Sequence, residues 1–291
     1  MSTLSEMIDS TILYLSGFSS QQDRATYLSE TVDVADLTIP IADGTAVSRG
    51  IAEIDSEIIQ VDKVDRTNNV LIIPPYGRGF RGTKAAPHAA GTRVAAAPQF
   101  PRHTVKQAVN DAILAVYPDV QAIFNEEIVS EAVVNTYTLS NSDARTIIKV
   151  DFETVGPTRE WLPARRYELK AHHPDGAQIA IYDRPVPGCR IRVRSAGPPQ
   201  LIDESIDFAV TGLPAAAEDL VRLGAAYRLV PNVETPMLSG LSAQADFAAN
   251  MRPVGASERL GKYLLGLYQT RLAEVRRQQQ IENPIRAHYE R

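Results

Sequence analysis

The stretch Ala46–Ile73, AVSRGIAEIDSEIIQVDKVDRTNNVLII, decides the fold of the N-terminal part of the chain. Apolar and polar residues roughly alternate along it, which is typical of strands with one buried face. The turn-forming run DRTNN separates its last two apolar segments. Together with VDVADLTI before it and TRVAA after it, the stretch predicts four or five short antiparallel strands over residues 31–97, in a small barrel-like module.

A second region of alternating segments occupies residues 131–212. Its candidate strands are separated by runs rich in turn formers, such as HHPDG and RPVPG. Strands at this spacing predict an antiparallel β-sandwich. Trp161 begins one of these strands, and we expect it in the sandwich core or packed against Pro163. A platform for binding carbohydrate is the alternative role.

Four segments with apolar residues at helical spacing flank the two β regions: 3–16, 104–125, 214–230 and 256–280. Only the last is long enough to be stable alone. We therefore expect an α+β fold in which the four helices pack together as one bundle and the two antiparallel β modules are inserted between them.

This interpretation divides the chain into four parts. They are a helical core formed by residues 1–30, 98–130 and 213–280, the small β module with a Gly-rich loop at 31–97, the β-sandwich at 131–212, and an extended C-terminal tail at 281–291.

Composition excludes several classes of protein. The formal net charge of −5 gives no global basic field for nucleic acid. No apolar run approaches the roughly 20 residues that a bilayer span needs, and Glu6 and Asp9 interrupt the N-terminal apolar stretch, which is unlike a signal peptide. The single cysteine, Cys189, excludes an internal disulfide and a cysteine-based zinc cluster.

The charge is unevenly distributed, because no Asp or Glu occurs between Arg66 and Asn110. This basic zone is either a solvated loop face or a surface that meets acidic partner subunits or passing DNA. Its cations are Arg66, Arg78, Arg81, Lys84, Arg93, Arg102 and Lys106.

The glycines of the basic zone imitate two nucleotide-binding motifs. Gly77, Gly79 and Gly82 have G-x-G-x-x-G spacing, but no crossover helix opens at Gly82 and no acidic residue that could bind a ribose occurs between Gly82 and Asp111. The order G-T-K at residues 82–84 also differs from the G-K-[ST] of a phosphate-binding loop. We therefore expect a long glycine-rich hairpin loop and no cofactor.

The sequence contains no pattern that announces catalysis or metal binding. None of the five histidines has further ligands at suitable spacing apart from Asp175 beside His172–His173, and neither a G-x-S-x-G elbow nor an H-E-x-x-H helix occurs. We expect a non-enzymatic protein without a metal site.

Residues 50–94 resemble a pattern in virion proteins of long-tailed bacteriophages, particularly those of actinobacteria. The resemblance rests on GIAEIDSEIIQVDKVD, NVLII and GRGFRGTKAAPHAAGTRV, and continues in PQFPRHTVKQAVNDAILAVYP. AAEDLVRLGAAYRLV and the final RLAEVRRQQQIENPIRAHYER are similar to the helices and tails of head-to-tail connector proteins. Simple connectors are much shorter, so the second β module looks like an elaboration.

This resemblance implies a structural virion protein, a head-to-tail connector or adaptor that forms a ring, commonly twelvefold, beneath the portal. The implied partners are further copies of the chain, the portal protein, the next tail-side connector or stopper, and the genomic DNA in the channel. The implied location is the head–tail junction of the virion, after assembly in the host cytoplasm, with no membrane involved. The alternatives are a minor tail, tail-terminator or baseplate protein with a carbohydrate-binding sandwich, or a virion hydrolase.

Two surfaces are the candidates for partner binding. The Gly-rich loop offers Arg78, Arg81 and Lys84 to an acidic surface or to DNA. The tail offers alternating apolar residues that we expect to add a strand to a neighbour's sheet edge and to become ordered only on assembly. The tail residues in this set are Ile285, Arg286, His288, Tyr289 and Arg291.

Overall fold

The computed structural model describes residues 2–18, 23–156, 159–183, 185–230 and 256–284. Over these residues the fold is mixed, with mainly antiparallel sheets and four α-helices. No helix of this part of the chain is long and apolar enough to cross a bilayer. The helices are α1 (Leu4–Ser16), α2 (Arg102–Ala115), α3 (Glu218–Leu229) and α4 (Ala256–Glu282).

The chain forms two compact units. The glycine-loop unit consists of Ser5–Val109 and Arg222–Leu265. The tryptophan unit consists of Met1–Leu4, Asn110–Val221 and Gly266–Arg291.

Two antiparallel sheets of the glycine-loop unit enclose one core. Their orders are β1-β7-β3-β4 and β2-β6-β5. Leu71 of β6 and Ile54 and Ile59 of the β3–β4 hairpin belong to the same buried cluster, because alternate residues of both sheets face inward. The strands are β1 (Arg24–Tyr27), β2 (Thr38–Pro40), β3 (Gly50–Ile54), β4 (Glu57–Val61), β5 (Lys63–Asp65), β6 (Val70–Ile72) and β7 (Arg93–Ala96).

The tryptophan unit has the same plan of a four-stranded and a three-stranded antiparallel sheet around one core. The orders are β11-β10-β14-β8 and β12-β13-β9. Ile191 and Val193 of β14 and Ile179 and Ile181 of β13 share the buried cluster. The strands are β8 (Ala122–Val129), β9 (Thr136–Thr138), β10 (Thr146–Glu153), β11 (Trp161–Pro163), β12 (Tyr167–Lys170), β13 (Gln178–Ile181) and β14 (Arg190–Gly197).

The four-helix bundle predicted from the sequence is wrong. Each unit is built on antiparallel sheets, and the division between the units falls within all four α-helices, so none of these helices belongs to one unit alone. An apolar stripe requires burial but does not specify a helix as its partner. The finer division into a helical core, two inserted modules and a tail stays a prediction.

The helices predicted at residues 3–16, 214–230 and 256–280 correspond to α1, α3 and α4. The predicted helix over 104–125 is wrong in its second half, because α2 ends at Ala115 and strand β8 begins at Ala122. Pro118, which lacks an amide hydrogen, lies between the two elements. This correction matters because β8 forms one edge of the larger sheet in the tryptophan unit.

Candidate functional site

A buried carboxylate, Glu57, organises the Gly-rich loop of the glycine-loop unit. The tight turn between β3 and β4, with Asp55 at a φ of 52°, places Glu57 at the start of β4. Its side chain is only 1% exposed. The guanidinium of Arg78 donates from Nε to Oε1 at 2.7 Å and from Nη2 to Oε2 at 3.0 Å. The imidazole of His88 lies 2.9 Å from Oε2 through its Nε2.

The backbone of the loop is held by the same carboxylate. The amide of Gly79 donates to Oε1 of Glu57 at 2.8 Å, and the amide of Ala86 donates to Oε2 at 3.1 Å. Burial alone raises the pKa of Glu57, but the hydrogen bonds from His88, Arg78 and these two amides outweigh it and lower the pKa to about 2. Glu57 is therefore ionised throughout the physiological range.

Two acidic residues flank His88, whose side chain is 2% exposed. The Nδ1 atom lies 2.9 Å from Oδ2 of Asp55, opposite the contact of Nε2 with Glu57. The hydrogen bond to Glu57 raises the pKa of His88, burial opposes this, and the hydrogen bond to Asp55 raises it further. Both ring nitrogens are thus engaged and shielded from solvent, an arrangement that serves structure better than proton exchange with a substrate.

Arg78, predicted to contact a partner, has its side chain inside the unit. Only 6% of the side chain is exposed. All five guanidinium hydrogens have acceptors: Glu57 takes two, and the other three go to the carbonyl oxygens of Asp33, Asp36 and Ala86 at 2.7–3.0 Å. The contribution of Arg78 is to hold the loop, and direct partner contact by it stays an untested prediction.

Arg81 and Lys84, predicted together with Arg78, lie on the exposed side of the same loop. Neither side chain pairs with another residue in the part of the chain that the structure describes. Between them, the hydroxyl of Thr83 accepts from the amide of Ile58 at 3.1 Å, which ties the loop to β4. The loop therefore presents two unpaired cations on a rigid support.

The glycines of the loop serve close packing and backbone geometry. A Cβ atom at Gly77 would lie 2.7 Å from Cγ2 of Ile73 and 2.8 Å from the carbonyl oxygen of Gln60. The Gly77 carbonyl accepts the Gln60 amide at 2.8 Å. Gly79 has a φ of 59°, which favours glycine. The G-x-G-x-x-G spacing thus has a local structural explanation.

Glu53 is a second buried carboxylate of this unit. It lies on β3 and accepts hydrogen bonds from the amides of Arg102 and His103, at the N-terminus of α2. Burial raises its pKa to about 7, and these amides and the charge of Arg102 only partly oppose the rise. Its Oε1 atom is buried without a hydrogen-bond partner among the described residues. Glu53 therefore anchors α2 to the sheet at the cost of a carboxyl group that ionises near neutrality.

In the tryptophan unit, an arginine ladder covers the outer face of the four-stranded sheet. Arg190 bridges Glu153 on β10 and Glu127 on β8, at 3.1 and 3.2 Å. Arg192 donates to Glu127 at 2.8 Å, and its guanidinium carbon lies 4.1 Å from the centre of the Trp161 ring. Hydrogen bonds from Arg192 and Arg190, respectively, lower the pKa values of Glu127 and Glu153.

Trp161 is half-buried on this charged outer face, not in the sandwich core. Of the two predicted placements, packing within the core is therefore wrong, and packing against Pro163 stays a prediction. One face of the indole is occupied by Arg192, so a sugar ring would have to displace the guanidinium to stack there.

The C-terminal half of α4 is attached to the beginning of β8. The side-chain amide of Gln279 accepts from the backbone amide of Gln121 at 2.9 Å and also donates to its carbonyl oxygen at 2.5 Å, in the manner of a neighbouring strand. Arg276 pairs with Asp119 at 3.0 Å, and Arg194 donates to Asn283 at 3.3 Å. A cleft of about 320 Å³ between these elements is lined mainly by amide and aliphatic side chains.

The helix includes Ile281 and Glu282, so the expected start of the extended tail at residue 281 is wrong by two residues. The other predicted tail residues, Ile285, Arg286, His288, Tyr289 and Arg291, lie outside the described residues. Within the described ranges, no group of three or more His, Cys, Asp or Glu side chains has the arrangement of a metal site.

No protein-family model matches the chain, and no curated protein matches it.

Proposed function

We propose that this chain is a structural protein of a long-tailed phage particle, a head-to-tail connector that assembles as a ring between the portal and the tail. The resemblance of residues 50–94 and of the C-terminal helix to such proteins suggests the class. The observation that carries the proposal is the exposure of α4.

Helix α4 has 27 residues. Among those whose side chains are described, only Leu264, Tyr268 and Val275 are buried. Apolar side chains on its other faces are in solvent, including Tyr263 at 60% and Ile281 at 74% exposure. A long helix gains most of its stability in a protein from packing of an apolar face. Neighbouring subunits that cover these residues would supply such packing, as in a closed ring built from two different patches per subunit.

The Gly-rich loop supports the same function. The network of Glu57 and Arg78 leaves Arg81 and Lys84 free of internal partners while holding the backbone beneath them. A rigid pair of cations in a protein of net charge −5 is suited to a localised contact with an acidic surface. In the proposed ring this surface belongs to the portal, to the next connector, or to DNA in the channel.

The alternative of a carbohydrate-binding tail protein requires an accessible aromatic platform. Arg192 already occupies one face of Trp161, and Glu127 and Glu153 hold the ladder in place. These contacts favour the connector over the sugar-binding alternative.

Electron microscopy of lysates from a phage that lacks this gene tests the proposal. A connector defect produces DNA-filled or leaking heads beside separate, complete tails. Complementation with the intact gene controls for effects on neighbouring genes. Joined particles with damaged tail tips, or lysates without any tails, would contradict the connector and place the protein in the tail.

A further inference from the structure

Strand β8 presents an open sheet edge. It is the outermost strand in the order β11-β10-β14-β8 and pairs with β14 over all eight of its residues without a bulge. The next residue, Ser130, donates its amide to the carbonyl of Cys189. Since hydrogen-bonding direction alternates along a strand, the backbone groups of odd-numbered residues in β8 point away from β14.

Part of this edge is already occupied. Gln279 satisfies both backbone groups of Gln121, and the amide of Ile123 donates to the carbonyl of Gly212 at 2.7 Å. From Asn125 onward the edge is open. The outward amides and carbonyls of Asn125, Glu127 and Val129 have no hydrogen-bond partner in the part of the chain that the structure describes.

Of the features by which proteins protect sheet edges, the open segment carries an inward-pointing charge, Glu126, but lacks several others. It contains no proline, no bulge and no lysine. The side chain of Val129 is 58% exposed. On the inner side of the strand, Oε1 of Glu126 is buried and lacks a hydrogen-bond partner among the described residues. The edge therefore offers backbone groups and one buried acceptor to an incoming chain.

We propose that this edge binds the C-terminal tail of a second copy of the chain, residues 285–291, as an added antiparallel strand. This inference deepens the proposed function and rests on it, because it names the two patches that close the ring. Seven extended residues span about 20 Å from first to last, whereas the open edge from Asn125 to Val129 spans about 13 Å. The tail is thus long enough to cover the edge.

The sequence of the tail fits the two sides of this edge. Ile285, Ala287 and Tyr289 alternate with Arg286, His288 and Glu290. On β8, the half-buried Phe124 and Ile128 face inward, while Glu127 lies in the arginine ladder of the outer face. An added strand would place its apolar residues beside the inward-facing ones and its charged residues beside the ladder.

The direction of α4 favours a tail from another subunit. Successive contacts pair Arg276 with Asp119, Gln279 with Gln121, and Asn283 with Arg194, whose strand partner is Asn125. The helix thus advances in the same direction as β8. The tail of the same chain would have to pair parallel to β8, whereas a neighbour's tail is free to pair antiparallel, as every other strand of this sheet does.

Two variants of the full chain separate the tail from the edge. A chain that ends at Pro284 keeps the edge but has no tail. The variant Val129→Pro keeps the tail but loses one outward amide and carries a ring that obstructs the edge. Because that amide is not used in pairing with β14, the proline is compatible with the strand. Val129→Thr is the matched control, since it keeps the amide and a β-branched side chain.

The test measures mass by sedimentation velocity. We expect wild type and Val129→Thr to self-associate, and each of the two defective chains alone to be monomeric or to associate at least tenfold more weakly. Mixed together, they should form a 1:1 pair, because one supplies the edge and the other the tail. Absence of this pair, or unchanged self-association of either defective chain alone, would overturn the proposal.

Two further measurements keep the result decisive. Amide exchange at Asn125, Glu127 and Val129 of wild type should slow as protein concentration rises. If the exchange is slow at every concentration and becomes fast on truncation, the chain's own tail covers the edge, and the proposal is refuted. If Val129→Pro does not fold, its place in the test is taken by a synthetic peptide of residues 281–291, titrated into the truncated chain. Lack of binding by this peptide refutes the proposal. No portal protein is present, so failure here is distinct from failure of the connector function.

Discussion

The carboxylate of Glu57 and the guanidinium of Arg78 form a bidentate ion pair inside the glycine-loop unit, with N–O distances of 2.7 and 3.0 Å. Removal of one partner leaves the other buried and charged. Glu57→Gln should therefore reduce the free energy of unfolding by about 3 kcal/mol or more, as measured by urea denaturation at pH 7.

Asp55→Asn is the matched control for that substitution. It changes the charge equally and touches the same histidine, but the Asp55 side chain is 63% exposed. We expect a loss below about 1 kcal/mol, as for other exposed pairs. Equal losses for the two variants would contradict the central role of Glu57.

The buried Glu53 predicts a distinct dependence of stability on pH. Its pKa is about 7 in the folded chain against an ordinary value of 4.5, so the folded state binds this proton more tightly. The resulting stabilisation is present below pH 4.5 and is lost as pH rises through 7. Glu53→Gln should remove this dependence and stabilise the protein above pH 7 by at most about 3 kcal/mol.

Thermal unfolding of wild type and Glu53→Gln between pH 4 and 8.5 measures the effect. The exposed Glu30 supplies a control, since Glu30→Gln makes the same chemical change without burial. A constant difference between wild type and Glu53→Gln across this range would show that Glu53 does not titrate near neutrality.

The free cations of the Gly-rich loop should affect binding without affecting stability. We expect the double variant Arg81→Ala, Lys84→Ala to unfold within about 0.5 kcal/mol of wild type, because both side chains are exposed. Its affinity for portal particles of the same phage should fall, and the remaining binding should depend less on salt, since surface charges act through a screened field.

Arg165→Ala with Lys170→Ala is the control for this pair. It removes the same two residue types from exposed positions of the tryptophan unit. Titrations at 50 and 300 mM salt compare the two double variants. If both weaken portal binding equally, net charge and not the loop is responsible.

The contact of Arg192 with Trp161 should be measurable as an energetic coupling. A double-mutant cycle with Trp161→Ala and Arg192→Ala is expected to give a coupling of about 0.5–1 kcal/mol, the usual range for a cation over an exposed ring. A control cycle with Trp161→Ala and Lys170→Ala should give no coupling energy, because no contact joins these two residues. A coupling of zero for Arg192 would mean that the ring is free for another ligand.

The strands were predicted more successfully than their surroundings. In the β3–β4 hairpin, alternation around Ile54 and Ile59 is a local signal, because both residues face one buried cluster. No local signal of this kind shows which arginine is buried and which is exposed. Arg78 and Arg81 occur in the same run, GRGFRG, yet only Arg78 meets Glu57, which lies 21 residues away in the sequence.

The helical stripes indicated burial but not its partner, which explains why the bundle was predicted. Glu53 illustrates the actual arrangement, since a strand residue receives the first amides of α2. The assignment of β8 failed because Val120 and Phe124 are spaced as on a helix, although Asn125, Glu127 and Val129 alternate as in a strand. Pro118 was the useful signal, because it lies between the end of α2 and the start of β8.

The two carboxylate oxygens of Glu57 accept hydrogen bonds from the amides of Gly79 and Ala86, so one side chain binds both ends of the segment between them. The loop over residues 80–85 is therefore closed at both ends by hydrogen bonds. Residues inserted after Lys84 would add only the entropic cost of closing a longer loop, which rises slowly with length. An insertion at the Lys84–Ala85 bond should therefore leave the unit folded while blocking the contact proposed for Arg81 and Lys84.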